Sequence, residues 1–167
     1  WVTAVSNNNI GIGSYVMDAA MNGASDNVAI GKSTLTALTT GDQNVVIGSG
    51  AGSAIDGGSN NVIIGYLAGD GCSANNTMTL VGAGAGGAIN SDAANGTICI
   101  GYNSGASITT GASNTVVGTN ALDAEDTGDR NTAIGYNSLT NVNGADNNSN
   151  TGLGYNSGDV ITTGTNN

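Results

Sequence analysis

The sequence predicts an all-β protein, a parallel β-solenoid of about nine 17-residue coils forming one domain over residues 1–167. Three observations predict it. A phrase ending in Ile-Gly or its like recurs nine times, as in Asn27-Val28-Ala29-Ile30-Gly31, Asn44-Val45-Val46-Ile47-Gly48 and Asn131-Thr132-Ala133-Ile134-Gly135. Its closing glycines (Gly13, Gly31, Gly48, Gly65, Gly82, Gly101, Gly118, Gly135 and Gly154) lie 18, 17, 17, 17, 19, 17, 17 and 19 residues apart. A second aliphatic column keeps step with them. A fixed period over a whole chain is the signature of stacked repeats, each burying its apolar side against the next.

Each coil can be numbered from its marker glycine as position 0. Position −1 holds only large aliphatics, from Ile12 through Ile100 to Leu153, and −3 holds β-branched residues, from Ile10 to Thr151. Together they read as a strand. Strand alternation puts −1 and −3 on one face and −2 on the other. By size, −1 and −3 are expected inside and −2 outside. Position +7 (Leu38, Ile55, Cys72, Ile89, Ile108, Val142, Ile161) predicts a second buried seam on a second short strand, broken by Ala20 and Glu125. Small residues near +3 and +4 mark tight corners. At about 4.8 Å per coil the rod would be on the order of 43 Å long.

Asparagine fills −4 in seven coils (Asn9, Asn27, Asn44, Asn61, Asn114, Asn131, Asn150) and +2 in four (Asn103, Asn120, Asn137, Asn156). Stacked asparagines can hydrogen-bond along the axis and tolerate corner conformations. The two 19-residue spacings are expected to bulge at corners near 90–95 and 143–148, with Ile100 and Leu153 kept inside, because a one-residue slip would exchange the strand's two faces.

The −2 column is apolar or glycine throughout. If it faces outward, Val46, Ile63, Leu80, Cys99 and Val116 form a stripe suited to packing between chains, here as a homotrimer. The alternative is that −2 is buried within its own chain. Tyr66, Tyr102, Tyr136 and Tyr155 share position +1; if exposed they form a surface aromatic row for a sugar or protein, the alternative being that they cap the solenoid wall.

Composition excludes several function classes. The chain carries net charge −10, with Lys32 and Arg130 its only cations, which disfavours nucleic acid and anionic membranes. No apolar run is long enough to span a bilayer as a helix. Without histidine, Ser-His and Cys-His catalysis and the usual zinc sites lack a partner. Gly82-Ala83-Gly84-Ala85-Gly86-Gly87 fits a dinucleotide motif, but the repeat accounts for its glycines and no helix is predicted after it. Gly31-Lys32-Ser33-Thr34 lacks the earlier glycine of a phosphate loop, since position 26 is Asp26. No enzyme activity, cofactor or metal is therefore assigned. Asp123, Glu125, Asp126 and Asp129 have the oxygen chemistry calcium needs, yet a solvated acidic corner beside Arg130 explains them. Cys72 and Cys99 fall in different columns, which disfavours a disulfide between them.

The phrase Asn131-Thr132-Ala133-Ile134-Gly135-Tyr136-Asn137-Ser138-Leu139, followed by a turn and Asn150-Thr151-Gly152-Leu153-Gly154-Tyr155-Asn156, resembles bacteriophage tail-fibre repeats. It is also similar to the head repeats of trimeric autotransporter adhesins. The resemblance covers essentially the whole chain and implies a left-handed homotrimer on a virion tail fibre, or at an extracellular or cell surface, that meets a host-surface receptor. The expected function is a structural segment spacing or displaying a receptor-binding tip. Self-assembly into an extracellular filament by end-to-end stacking is the alternative, and an ice-binding solenoid the third. The ending Gly164-Thr165-Asn166-Asn167 matches the lead-in to earlier phrases, so the chain is expected to be part of something longer.

Overall fold

In the computed structural model the chain is a β-solenoid; the structure describes residues 5–143, 149–164 and 166–167. Among the described residues nine three-residue strands, β1 (Ile10–Ile12), β2 (Val28–Ile30), β3 (Val45–Ile47), β4 (Val62–Ile64), β5 (Thr79–Val81), β6 (Ile98–Ile100), β7 (Thr115–Val117), β8 (Thr132–Ile134) and β9 (Thr151–Leu153), form one parallel sheet in chain order. Every pairing aligns −3 with −3, −2 with −2 and −1 with −1.

The two faces are the reverse of the size-based expectation. Position −2 points into the coil: Ala29, Val46, Ile63, Leu80, Cys99, Val116 and Ala133 are fully buried. Positions −3 and −1 stand outside, half-covered by their neighbours in adjacent coils. The reason is the narrow lumen, which −2 shares with +4 and +7. Where −2 is Val46, Ile63, Leu80 or Cys99, +4 is glycine; the coil of Val116 departs from this, with Leu122 buried at +4. A methyl group at Gly69 would come 2.8 Å from Leu80 Cδ1 and 3.3 Å from Ile63 Cδ1, and one at Gly105 would come 2.7 Å from Cys99 Sγ. Where −2 is alanine, +4 is a buried leucine, as in Ala29 with Leu35 and Ala133 with Leu139. Such exchange of volume holds a thin core at native density. The +7 seam is buried as expected from Leu38 through Val142.

The second strand is not formed among the described residues. Position +7 instead sits in a turn-built wall, because +2 and +4 adopt left-handed backbone, for example Leu67 (φ 52), Gly69 (φ 53), Asn120 (φ 52) and Leu122 (φ 48). Such residues cannot continue an extended run. The wall is still tied between coils, as by Thr39 N to Asp56 O at 2.8 Å and Thr109 N to Asp126 O at 2.7 Å.

The marker glycines follow from the backbone. Gly65 has φ 142, and a Cβ there would overlap the carbonyl oxygen of Gly82 in the next coil. The same approach recurs at Gly48 and Gly118, so the period of the sequence is the period of this contact.

The −4 asparagines form the expected ladder. Asn44 donates from N and Nδ2 to Asn27 Oδ1 at 3.0 and 2.9 Å, and Asn61 does the same to Asn44. Each also clamps the far wall of its coil through Nδ2, to Gly58 O from Asn44 and to Asn75 O from Asn61, both at 2.8 Å. At +2 no ladder joins the asparagines; the column shares φ near the left-handed value, 51 at Asn103 and Asn137. A second ladder, at −6, runs the opposite way. Ser25 N donates to Asp42 Oδ1, Asp42 N to Ser59 Oγ, Ser59 N to Asn76 Oδ1 and Asn76 N to Asn95 Oδ1, at 2.7–3.0 Å.

The first 19-residue spacing is absorbed at a corner by a 3-10 turn, Asp92–Ala94, leaving Val81 aligned with Ile100. Most of the second, 144–148, lies outside the described residues, and Ile134 pairs with Leu153 beyond it. Ile100 and Leu153 do stand outside, at 38% and 73% exposure, but with their whole column and in register.

Candidate functional site

The two outer features of the rod are the −3/−1 face and the +1 column. In the face, each strand offers an outward pair: Val45 with Ile47, Val62 with Ile64, Thr79 with Val81, Ile98 with Ile100, Thr115 with Val117. No member of either column is charged from Ile10 to Leu153. β-Branched neighbours stacked in register cover one another's sides, leaving methyl groups uppermost. The result is a chargeless ribbon running the length of the sheet, on a chain of net charge −10.

The residues expected to join chains are elsewhere. Val46, Ile63, Leu80, Cys99 and Val116 have no exposed surface within a single chain, so they cannot form a surface between chains. Alternation had paired −1 with −3 correctly. The missed signal was the size trade between −2 and +4 that six coils show, from Ala29 with Leu35 to Ala133 with Leu139.

The tyrosines of the +1 column are exposed: Tyr66, Tyr102, Tyr136 and Tyr155 are 62%, 57%, 46% and 75% accessible. They sit where the strand ends and the marker glycine turns the chain. The rings of Tyr136 and Tyr155, one coil apart, stack with centroids 5.4 Å apart and planes at 10°.

The acidic turn is dispersed. Asp123 Oδ1 accepts from Thr140 Oγ1 at 2.5 Å, and Asp129 Oδ1 accepts from Ala112 N at 2.8 Å. Glu125 turns inward at the +7 seam, fully buried, where Oε1 accepts from Gly128 N at 2.8 Å. Asp126 is tied by its backbone carbonyl to Thr109 and Thr110. Among the described residues no group of three or more acidic or cysteine side chains is placed to hold a metal ion. The glycine-rich run is likewise structural: a methyl group at Gly86 would meet Leu80 and Ile89 at 2.9 Å. Among the described residues no helix is long and apolar enough to cross a membrane.

Cys72 and Cys99 are free and buried. Burial pushes both thiols up to about 12, with Asp70 adding to the effect at Cys72. Thiolate, the nucleophilic form, is therefore absent at all ordinary pH. Ellman's reagent at pH 8 should find no reactive thiol in the folded protein and two after unfolding in guanidinium. Rapid native labelling of either would place it outside the lumen.

No protein-family model, curated protein or solved structure matches the chain.

Proposed function

We propose that the chain is a non-enzymatic structural segment of a trimeric viral tail fibre or surface adhesin, spacing or displaying a receptor-binding tip. The outward −3/−1 face carries this reading. It is apolar or threonine at every position of nine consecutive strands and free of charge. Contiguous apolar surface of this kind marks a partner surface. A second copy suits it, because an acidic chain of net charge −10 can approach its own kind only where it carries no charge. Three such faces packed about an axis would shield one another and give a stiff rod, which serves spacing and display. The repeat phrases that resemble tail-fibre and adhesin-head sequences support the same reading.

Sedimentation of the wild-type chain beside Ile64→Asp tests it. Ile64 is 36% exposed at the middle of the face. The wild type should sediment as a trimer and the variant as a monomer with an unchanged circular dichroism spectrum. A monomeric wild type would overturn the oligomer.

An end-to-end filament is the second reading: the in-register parallel stack of strands is one that a further copy could continue. Unpaired strand edges are templates for addition. A filament would give an open-ended, concentration-dependent series that persists in Ile64→Asp.

A further inference from the structure

We propose that the two gaps in the tyrosine column are binding slots for a quaternary ammonium group, a trimethylammonium of the choline type. The column is fixed coil by coil. The carbonyls of Tyr66, Ala83, Tyr102, Thr119 and Tyr136 each accept a hydrogen bond from the next coil's +2 amide, at 2.9–3.0 Å. Tyr66, Tyr102 and Tyr136 therefore recur at every second coil, with only Ala83 and Thr119 between them.

The rings of Tyr136 and Tyr155, in adjacent coils, stack face to face, so this column can hold its rings facing one another between coils. Tyr66, Tyr102 and Tyr136 taking the same arrangement, with one coil left empty between them, would bound slots of two ring faces roughly 9.6 Å apart, twice the strand spacing. A group seated midway lies about 4.8 Å from both rings, within the ~6 Å reach of a cation–π contact. Each slot is one group wide, and its floor is a small side chain. Tyr102 is the shared wall of both.

Charge selects the occupant. The chain carries net charge −10 and one cation in this column, Lys32, which lies two coils before Tyr66. Anions are repelled. A neutral ring gains contact alone, whereas a cation gains the quadrupoles of two ring faces and the field of the whole rod. A trimethylammonium group is large enough to touch both walls and sheds its water more readily than a lysine ammonium. The inference gives chemistry to what a displayed rod would meet, but it does not need the oligomer.

The test is a titration of the full chain with tetramethylammonium chloride, read on tyrosine ring resonances, with sodium chloride at equal ionic strength as reference. Saturable shifts at Tyr66, Tyr102 and Tyr136 are expected, with dissociation on the order of millimolar. Tyr102→Ala should weaken binding about tenfold or more, Tyr102→Phe should retain it, and Tyr155→Ala should leave it unchanged. Tyr102 is exposed, and circular dichroism checks that its removal leaves the fold intact. The proposal is overturned if tetramethylammonium acts no differently from sodium, if Tyr102→Ala binds as well as wild type, or if only a neutral methyl glucoside saturates the site. Sedimentation of the same samples reports assembly separately, so loss of the slots and loss of the trimer are distinguishable.

Discussion

Gly65→Ala is expected to be among the most damaging single changes in the chain. Its φ of 142 belongs to a region that residues with a Cβ rarely adopt, at a strain of about 1–3 kcal/mol. The added methyl would also overlap the carbonyl of Gly82. The backbone cannot withdraw, because Gly65 N donates to Ile47 O at 2.8 Å and Gly82 N to Ile64 O at 2.7 Å. Strain and overlap together should exceed about 4 kcal/mol, lowering the melting temperature by about 8–16 °C in a chain of this size. Gly57→Ala is the control: its Cβ would meet only Thr40 Oγ1, at 3.2 Å, and its φ is ordinary. Equal melting temperatures for the two variants would mean the marker glycines are not what sets the coil spacing.

Ile63→Asp should abolish folding rather than dissociate an assembly. Ile63 is fully buried, stacked between Val46 and Leu80 in adjacent strands. Even truncation to alanine would cost about 2–5 kcal/mol there. A carboxylate must additionally lose its hydration or hold a proton, at several kcal/mol more. The adjacent Ile64→Asp should fold. Two neighbouring isoleucines thus give opposite outcomes, read by circular dichroism and solubility. A folded, soluble Ile63→Asp protein would overturn the assignment of the lumen face.

The contrast also shows what could be read from residues alone. Period, strand position and register were legible, because each coil repeats one steric demand, a glycine facing the next glycine's carbonyl, and because the −4 asparagines must align to bond. Which face of the strand looks inward was not legible from one strand. Alternation binds Val62 to Ile64 and separates both from Ile63, but it is silent about which side is the lumen. Size misled, since in most coils this narrow lumen takes at −2 what complements +4, not what is largest. Comparing Ala29 and Leu35 with Leu80 and Gly86 resolves the choice. The second strand failed for a related reason: leucine and asparagine in left-handed backbone at +2 and +4 leave no residue-type signal that an extended run has ended. The tyrosine row was legible as a column. The pairing of Tyr136 with Tyr155, and so the sense of the gaps, needed the ring geometry.

The stacking of strands across the rod has a mechanical consequence. The bonds joining coils lie along the axis, so tension between the chain ends loads them one row at a time, not all rows in parallel shear. A coil of 17 residues released from the end would add about 55 Å of slack. A molecule held at both ends should yield by unspooling in even increments of that length, at low and nearly constant force, and re-coil when the load falls. The two 19-residue coils, one of them carrying the 3-10 corner at Asp92–Ala94, would appear as longer steps in the series. Such a rod would behave as an extensible tether with a built-in force limit, lengthening under load instead of passing the load on whole.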